Sequence, residues 1–286
     1  MPIIDPNPDL LENCWRYFVL GVIQGLTEFL PISSTAHLTV IPALLGWEDI
    51  GVAVTAVLQL GSILAVITYF RKDLLKILKG LRLAIFEGHW KTAYAKLGIA
   101  MTIGTIPIVI AGLGVKLLWP NFEESFVREI PTIAIISILM GALLGLAERT
   151  GERKKTITNV TGVDGLVIGL SQTLALLPGV SRSGITLTSS LFSGWKREDA
   201  ARFSFLLGIP AISIAGLAEL STALSKEASY EGLPLIIGIV SASIVSWLAI
   251  DWLLKYLQRN KTIIFVIYRI SFGIGLLFWW SNIKSN

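Results

Sequence analysis

Two short stretches hold most of the side chains in this chain that could do chemistry. The first runs from Gly21 to His37 and carries Gln24, Glu28, Ser33, Ser34, Thr35 and His37. The second runs from Gly165 to Thr186 and carries Gln172, Ser181, Arg182, Ser183 and Thr186. Glu28 stands in an apolar run, where a carboxylate at mid-membrane depth costs about 2.5–3.5 kcal/mol, so it is a functional candidate by default. Gln24 lies four residues earlier, on the same helix face; the plainer reading of the pair is a hydrogen bond between helices. Arg182 offers the planar fork that recognises phosphate bidentately, against the plainer reading of an arginine reaching for the surface. Ser181, Ser183 and Thr186 are its companions, although Thr186 can also satisfy itself on its own backbone. His37 follows Ser34 by three residues and Ser33 by four. On a restarted helix it shares a face with either, as an activated nucleophile or a general base requires, unless it is a core histidine. The sum is a polyanion site with acid/base capacity.

The sequence lacks the aspartate-rich pair that holds diphosphates through several magnesium ions, and it lacks a Gly-rich lysine loop for nucleotides. One glutamate with phosphate oxygens from a substrate suits Mg²⁺ or Ca²⁺. Cys14 is the only cysteine, which excludes an intramolecular disulfide and a cysteine-based metal centre.

These residues need elements that place them. Each stretch reads as a glycine-spaced apolar helix bearing an acid or an amide (Glu28, Gln172), broken by a proline (Pro31, Pro178) and restarted in hydroxyls. Gly25 and Gly169 are 144 residues apart, about half of the 286-residue chain, the pattern of a site built where two internal repeats meet. The whole chain is 53% hydrophobic and 15% charged, with mean hydropathy +0.70, against about 25% charged for a soluble domain. Its charges gather in islands between apolar runs long enough to cross a bilayer. The expected class is an all-α polytopic membrane protein with spans at 50–70, 97–118, 130–147, 201–223, 233–254 and 262–281. The N-terminus has no basic stretch followed by a small-residue cleavage site, so no cleaved signal peptide is expected.

Basic residues orient the islands. The 71–96 loop, the 148–158 loop and the 255–261 turn are rich in Lys and Arg and read as cytoplasmic; loops 119–129 and 224–232, with Glu123, Glu124, Glu227 and Glu231, read as external. The start of the chain and the turn at Trp47, Glu48 and Asp49 also read as external. Segments 17–46 and 160–194 then enter and leave on one side each, as re-entrant hairpins from opposite faces. Each precedes three spans, giving two inverted-topology repeats, 1–147 and 160–286. Broken backbone at that depth must be buried in protein or line a cavity. Helix restarts at Ser33–Thr35 and Ser181–Ser183 would aim free N–H groups and positive dipole ends at a common anion. Arg269, deep in the last span, is left open between pairing with an acid such as Asp251, reaching the surface and feeding the site.

With these motifs in place, the chain resembles a known family. Glu28 through His37, with Pro178-Gly-Val-Ser-Arg-Ser-Gly-Ile-Thr186, is similar to the undecaprenyl-diphosphate phosphatase family, the one linked to bacitracin resistance, over essentially the whole length. The resemblance implies hydrolysis of the C55 isoprenyl diphosphate carrier to its monophosphate, dependent on a divalent cation, by a homodimer in a bacterial inner membrane. The site would be reached from the external side. It implies Glu28 as metal or acid/base carboxylate, Ser34 or Ser33 as nucleophile or phosphate ligand, and His37 as general base or acid. Arg182 would bind the diphosphate, with Ser181, Ser183, Thr186, Thr35 and Gln172 around it. Many members carry Glu where this chain has Gln24, which then ligates only through its amide oxygen. Attack by serine and attack by water both remain open. So does the competing class, a lipid-phosphate or anion transporter using the same site without bond cleavage.

Overall fold

The computed structural model describes residues 8–47, 51–119, 121–122, 125–225 and 232–285. The charge readings on Glu48, Asp49, Glu123, Glu124, Lys226, Glu227 and Glu231 lie outside those residues. The described chain is helical, with one isolated β-bridge between Lys155 and Trp195. Its α-helices are α1 (Pro8–Phe29), α2 (Ser34–Leu44), α3 (Gly51–Tyr69), α4 (Arg71–Glu87), α5 (Ala93–Leu118) and α6 (Ile130–Thr150) in the first half. The second half holds α7 (Gly162–Gln172), α8 (Arg182–Phe192), α9 (Arg197–Ser225), α10 (Gly232–Arg259) and α11 (Ile263–Ser285).

Helices α5, α6, α9, α10 and α11 are each long and apolar enough to cross a membrane, and α3 with α4 makes a sixth candidate bent by 71°. Large apolar side chains such as Ile110, Leu117, Leu139, Ile236 and Phe278 stay exposed on them, as lipid-facing residues do. The chain is a multi-pass membrane protein.

Three boundaries differ from the sequence reading. The 71–96 stretch holds a helix, α4, closed by Gly88 in the left-handed region at φ 73. Its basic residues dominated the reading, but Ile77, Gly80 and Ala84 recur at helical spacing and are buried. A Cβ on Gly80 would sit 2.9 Å from the backbone of Ala95 on α5, so the two helices touch through their backbones. Helix α1 begins at Pro8, ahead of the expected 17. The second hairpin breaks earlier than Pro178: α7 ends at Gln172, and a 3-10 turn, Thr173–Leu176, leads into the tip.

That turn explains a difference in spacing between the two motifs. Gln172 follows Glu28 by 144 positions, whereas Ser181 follows Ser33 by 148; the four additional residues are the 3-10 turn. Beyond it the restarts match. Ser33 (φ 78, ψ 101) and Ser181 (φ 69, ψ 114) both adopt positive φ, and each accepts a bond from the backbone N–H three residues on, Ala36 and Gly184. Positive φ on a side-chain-bearing residue costs about 1–3 kcal/mol and persists only where the surroundings fix it.

Glycines set the packing of the hairpins. A Cβ on Gly21 would meet the Gly238 carbonyl at 2.3 Å, and one on Gly25 the Ala242 carbonyl at 2.9 Å, so α1 lies directly on α10. In the other half, a Cβ on Gly165 or Gly169 would meet the Ala100 or Gly104 carbonyl at 2.3 Å, so α7 lies directly on α5. Helix α3 packs between α9 and α10, and α6 packs on α8 and α11. The central core joins Phe29, Phe70, Phe203, Phe205 and Leu206. Glu148 locks the far end of α6: it accepts bonds from Arg197 on α9 and from the Thr262 hydroxyl (2.8 Å) and amide (3.2 Å) before α11.

Candidate active site

The two broken tips meet. Glu28, the last residue but one of α1, is buried, and its carboxylate is the hub. Arg182, the first residue of α8, donates from Nη2 to Glu28 Oε1 at 3.3 Å. Ser34, the first residue of α2, donates to Oε2 at 2.8 Å. Gln24 donates to the same Oε2 at 3.1 Å from the preceding turn of α1, and to Ser62 Oγ at 3.3 Å. Ser246 on α10 donates to Ser62 at 2.9 Å and ends the chain. The carboxylate thus has one cation and two neutral donors, as a buried charge requires. Residues 28, 34 and 182 line a cavity of about 160 Å³ together with Ser33, Thr35, Gln59, Ser181 and the apolar Ile108, Leu176 and Ile212. Its mixed wall suits a charged head group attached to an apolar tail.

Other candidates fall around this hub in different ways. Ser33 and Ser181 line the cavity while capping their helices. Ser183 bridges the tips, its hydroxyl reaching the carbonyls of Glu28 (3.2 Å) and Leu30 (3.1 Å). Thr186 bonds the Arg182 carbonyl at 2.8 Å and shares a 2.5 Å bond with Ser204, and Arg182 Nη1 reaches the Ser204 carbonyl at 3.3 Å. Gln172 is fully buried, and neither atom of its amide has a partner among the described residues. His37 is on the same helix as Ser34, but the structure does not bring its ring to a serine hydroxyl. One nitrogen, Nδ1, pairs with the Ser33 carbonyl at 2.7 Å; the other, Nε2, pairs with the Tyr268 hydroxyl at 2.6 Å, and the ring stacks on Phe272.

Arg269 neither pairs with Asp251 nor reaches the surface. Asp251 bonds Lys255 (2.7 Å) and Tyr69 (3.2 Å), while Arg269 is 1% exposed and donates to four backbone carbonyls.

The sequence reading passed over Ser62, Ser204, Ser246 and Tyr268. Ser62 carries a signal in hindsight, because it adjoins Gly61, whose Cβ would meet the Ile239 carbonyl at 2.4 Å. A hydroxyl beside a close-approach glycine in an apolar run faces a neighbouring helix. The others carry no local mark.

The profile of the bacitracin resistance protein BacA family matches residues 17–275. The chain belongs to this family. Among its relatives, the undecaprenyl-diphosphatase of Synechococcus sp. (strain WH7803) is 64% identical over 280 residues, 98% of both chains. That of Synechococcus sp. (strain CC9311) is 62% identical over 98% of this chain and 99% of its own. That of Prochlorococcus marinus (strain MIT 9303) is 61% identical over the full length of this chain and 98% of its own. Family membership covers both hairpin tips and every residue of the Glu28 hub.

Proposed function

We propose that this protein is an integral membrane phosphatase that hydrolyses undecaprenyl diphosphate to undecaprenyl phosphate and inorganic phosphate, recycling the lipid carrier of cell-wall synthesis. The observation that carries the reading is the hydrogen bond from Ser34 to Glu28 beside Arg182. It joins a nucleophile, a base and an anion receptor from two broken helices in one cavity.

In this reading the Glu28–Arg182 pair is the resting state. The incoming diphosphate, itself a polyanion, takes Glu28's place on the guanidinium. Glu28 then accepts the Ser34 proton as Ser34 Oγ attacks the terminal phosphorus. The bond between that phosphorus and the bridging oxygen breaks, and undecaprenyl phosphate leaves with the electron pair. Glu28 passes the proton it took from Ser34 to that leaving phosphate and is a carboxylate again. It then takes a proton from a water that attacks the phosphoserine phosphorus; the bond from phosphorus to Ser34 Oγ breaks, Oγ recovers the proton from Glu28, and inorganic phosphate leaves. Ser33, Thr35 and Ser181 border the phosphates, and the N-terminal N–H groups of α2 and α8 favour their charge. His37 holds α2 against α11, so the base is assigned to Glu28. The Ser34–Glu28 bond favours hydrolysis over a carrier that moves lipid phosphate without breaking a bond, because a carrier has no use for an activated hydroxyl.

The donor set fits a divalent cation in one way only. Among the described residues no three His, Cys, Asp or Glu side chains cluster, so these residues alone do not build a complete cation site. Glu28 with Ser34 suits Mg²⁺ or Ca²⁺ that draws its remaining oxygens from the diphosphate. Gln24 joins them if its amide turns, since it now gives Nε2 to Glu28; the turned oxygen would face a carboxylate oxygen and needs a cation between them. Such an ion, when bound, neutralises charge on the phosphoryl oxygens.

We infer further that the halves 1–147 and 160–286 are inverted-topology repeats, each a re-entrant hairpin followed by spanning helices. The support is the exchange of partners, α1 on α10 and α7 on α5, and the matched positive-φ serines. A homodimer in the bacterial inner membrane completes the proposal. Accessibility of single cysteines placed at Thr39 and Ser189 from either face of sealed vesicles tests the hairpins: spanning segments would be labelled from the face opposite to that of a re-entrant one.

A further inference from the structure

Arg269 is a full positive charge, 1% exposed, and it contacts no carboxylate among the described residues. All its bonds go to carbonyl oxygens, and those carbonyls belong to three separate segments. Nη1 donates to Pro31 in the first tip (3.2 Å) and to Val180 in the second (3.0 Å). Nη2 donates to Gly179, also in the second tip, at 2.5 Å. Nε donates to Ser137 on α6 at 3.3 Å, and Ser137 Oγ returns a bond to the Arg269 carbonyl. Broken helices at membrane depth leave tip carbonyls with no water to satisfy them. A guanidinium has donors on three nitrogens in a rigid plane, enough to answer both tips at once. The fold clears a path for it: a Cβ on Gly141 would lie 3.0 Å from Arg269 Cβ, and one on Gly184 would lie 3.0 Å from Nη1.

We propose that Arg269 is a positioning residue that fixes the first tip against the second and thereby sets Ser34 and Glu28 at working distance from Arg182. The carbonyls it holds lie just ahead of the two restarts: Pro31 is three residues before Ser34, and Val180 two before Arg182. Arg269 does not line the cavity, so it acts through the tips and not on the diphosphate. A displacement of about 1 Å between reacting groups costs on the order of 10²-fold in rate, so the clamp bears on turnover.

The proposal rests on the phosphatase reading for its activity readout and on geometry alone for its second readout. In a Cys14→Ser background, spin labels at Thr39→Cys on α2 and Ser189→Cys on α8 report the separation of the helices that the two tips launch. The expected result is one narrow distance with Arg269 present and a broadened or shifted distribution in Arg269→Met. In the unlabelled protein, kcat for phosphate release falls by about 10²-fold in Arg269→Met. Arg269→Lys keeps the charge and reaches fewer carbonyls, so it recovers part of both losses; it also carries the test if the Met variant fails to fold. An unchanged distance distribution in the variants overturns the clamp. A broadened distribution with undiminished kcat overturns its role in positioning. If the parent protein releases no phosphate, the phosphatase reading falls, and the distance measurement still decides whether Arg269 holds the tips.

Discussion

Glu28 and Arg182 are 154 positions apart and meet at 3.3 Å, one at the end of a helix and the other at the start of another. Each stands beside a break between two helices, and each side chain is at least nine-tenths buried. A buried pair of this kind adds little net stability, because desolvation offsets the attraction, yet losing one partner strands the other. On the proposed mechanism its value is as an exchangeable contact: the guanidinium is held ready until a diphosphate displaces the carboxylate.

Arg182→Lys tests the receptor half of that exchange. An ammonium cannot offer two parallel donors to a phosphate. The loss of one or more charge-assisted bonds, worth about 1.5–3 kcal/mol, predicts a drop in kcat/KM of roughly 10- to 100-fold. Steady-state phosphate release checks it, and activity within twofold of the parent would rule out bidentate binding.

Glu28→Gln tests the base. The amide still accepts a bond from Ser34 and fills the same space, so the fold should persist while turnover falls by about 10²–10⁴-fold. Size-exclusion profile and thermal unfolding report the fold, and single-turnover kinetics report the chemistry. A variant that turns over normally would make the carboxylate structural.

His37→Phe separates the two bases that the sequence allows. Phenylalanine keeps the stack on Phe272 and gives up the bonds to Ser33 and Tyr268. With Glu28 as base, kcat drops by about 10-fold, the worth of one or two hydrogen bonds, and the shape of the pH–rate profile is kept. Disappearance of a titrating limb would move the base to His37.

Much of this was legible in the residue pattern because the constraints are local and strict. Apolar length gave the spans, and hydroxyls after a break gave the capped restarts at Ser33 and Ser181. Helix α4 was hidden because its basic residues look like a loop, and its buried face is only Ile77, Gly80 and Ala84. The 3-10 turn at Thr173–Leu176 was hidden because Pro178 is the louder signal. Which group Ser34, His37 and Arg269 bond is set by tertiary approach across as many as 238 positions, as between Arg269 and Pro31, and no local spacing encodes that.

The glycine contacts give a prediction about stability. Gly25→Leu places a side chain where even a Cβ would be 2.7 Å from Val245 Cβ. Prying α1 from α10 should cost about 1–3 kcal/mol or more, lower the unfolding temperature and disturb Glu28. Gly275→Ala, with open space around its Cβ position, is the control and should behave like the parent. Equal unfolding temperatures for the two variants would mean that α1 does not need this close approach.

The most direct measurement is phosphate release from undecaprenyl diphosphate by the purified protein, with Mg²⁺ or Ca²⁺ and with a chelator, beside Ser34→Ala. The account predicts release that requires the divalent ion and falls by about 10³-fold or more without the Ser34 hydroxyl. Release that proceeds undiminished in folded Ser34→Ala protein would contradict serine attack from the Glu28–Arg182 site. No release by folded parent protein would contradict the phosphatase itself.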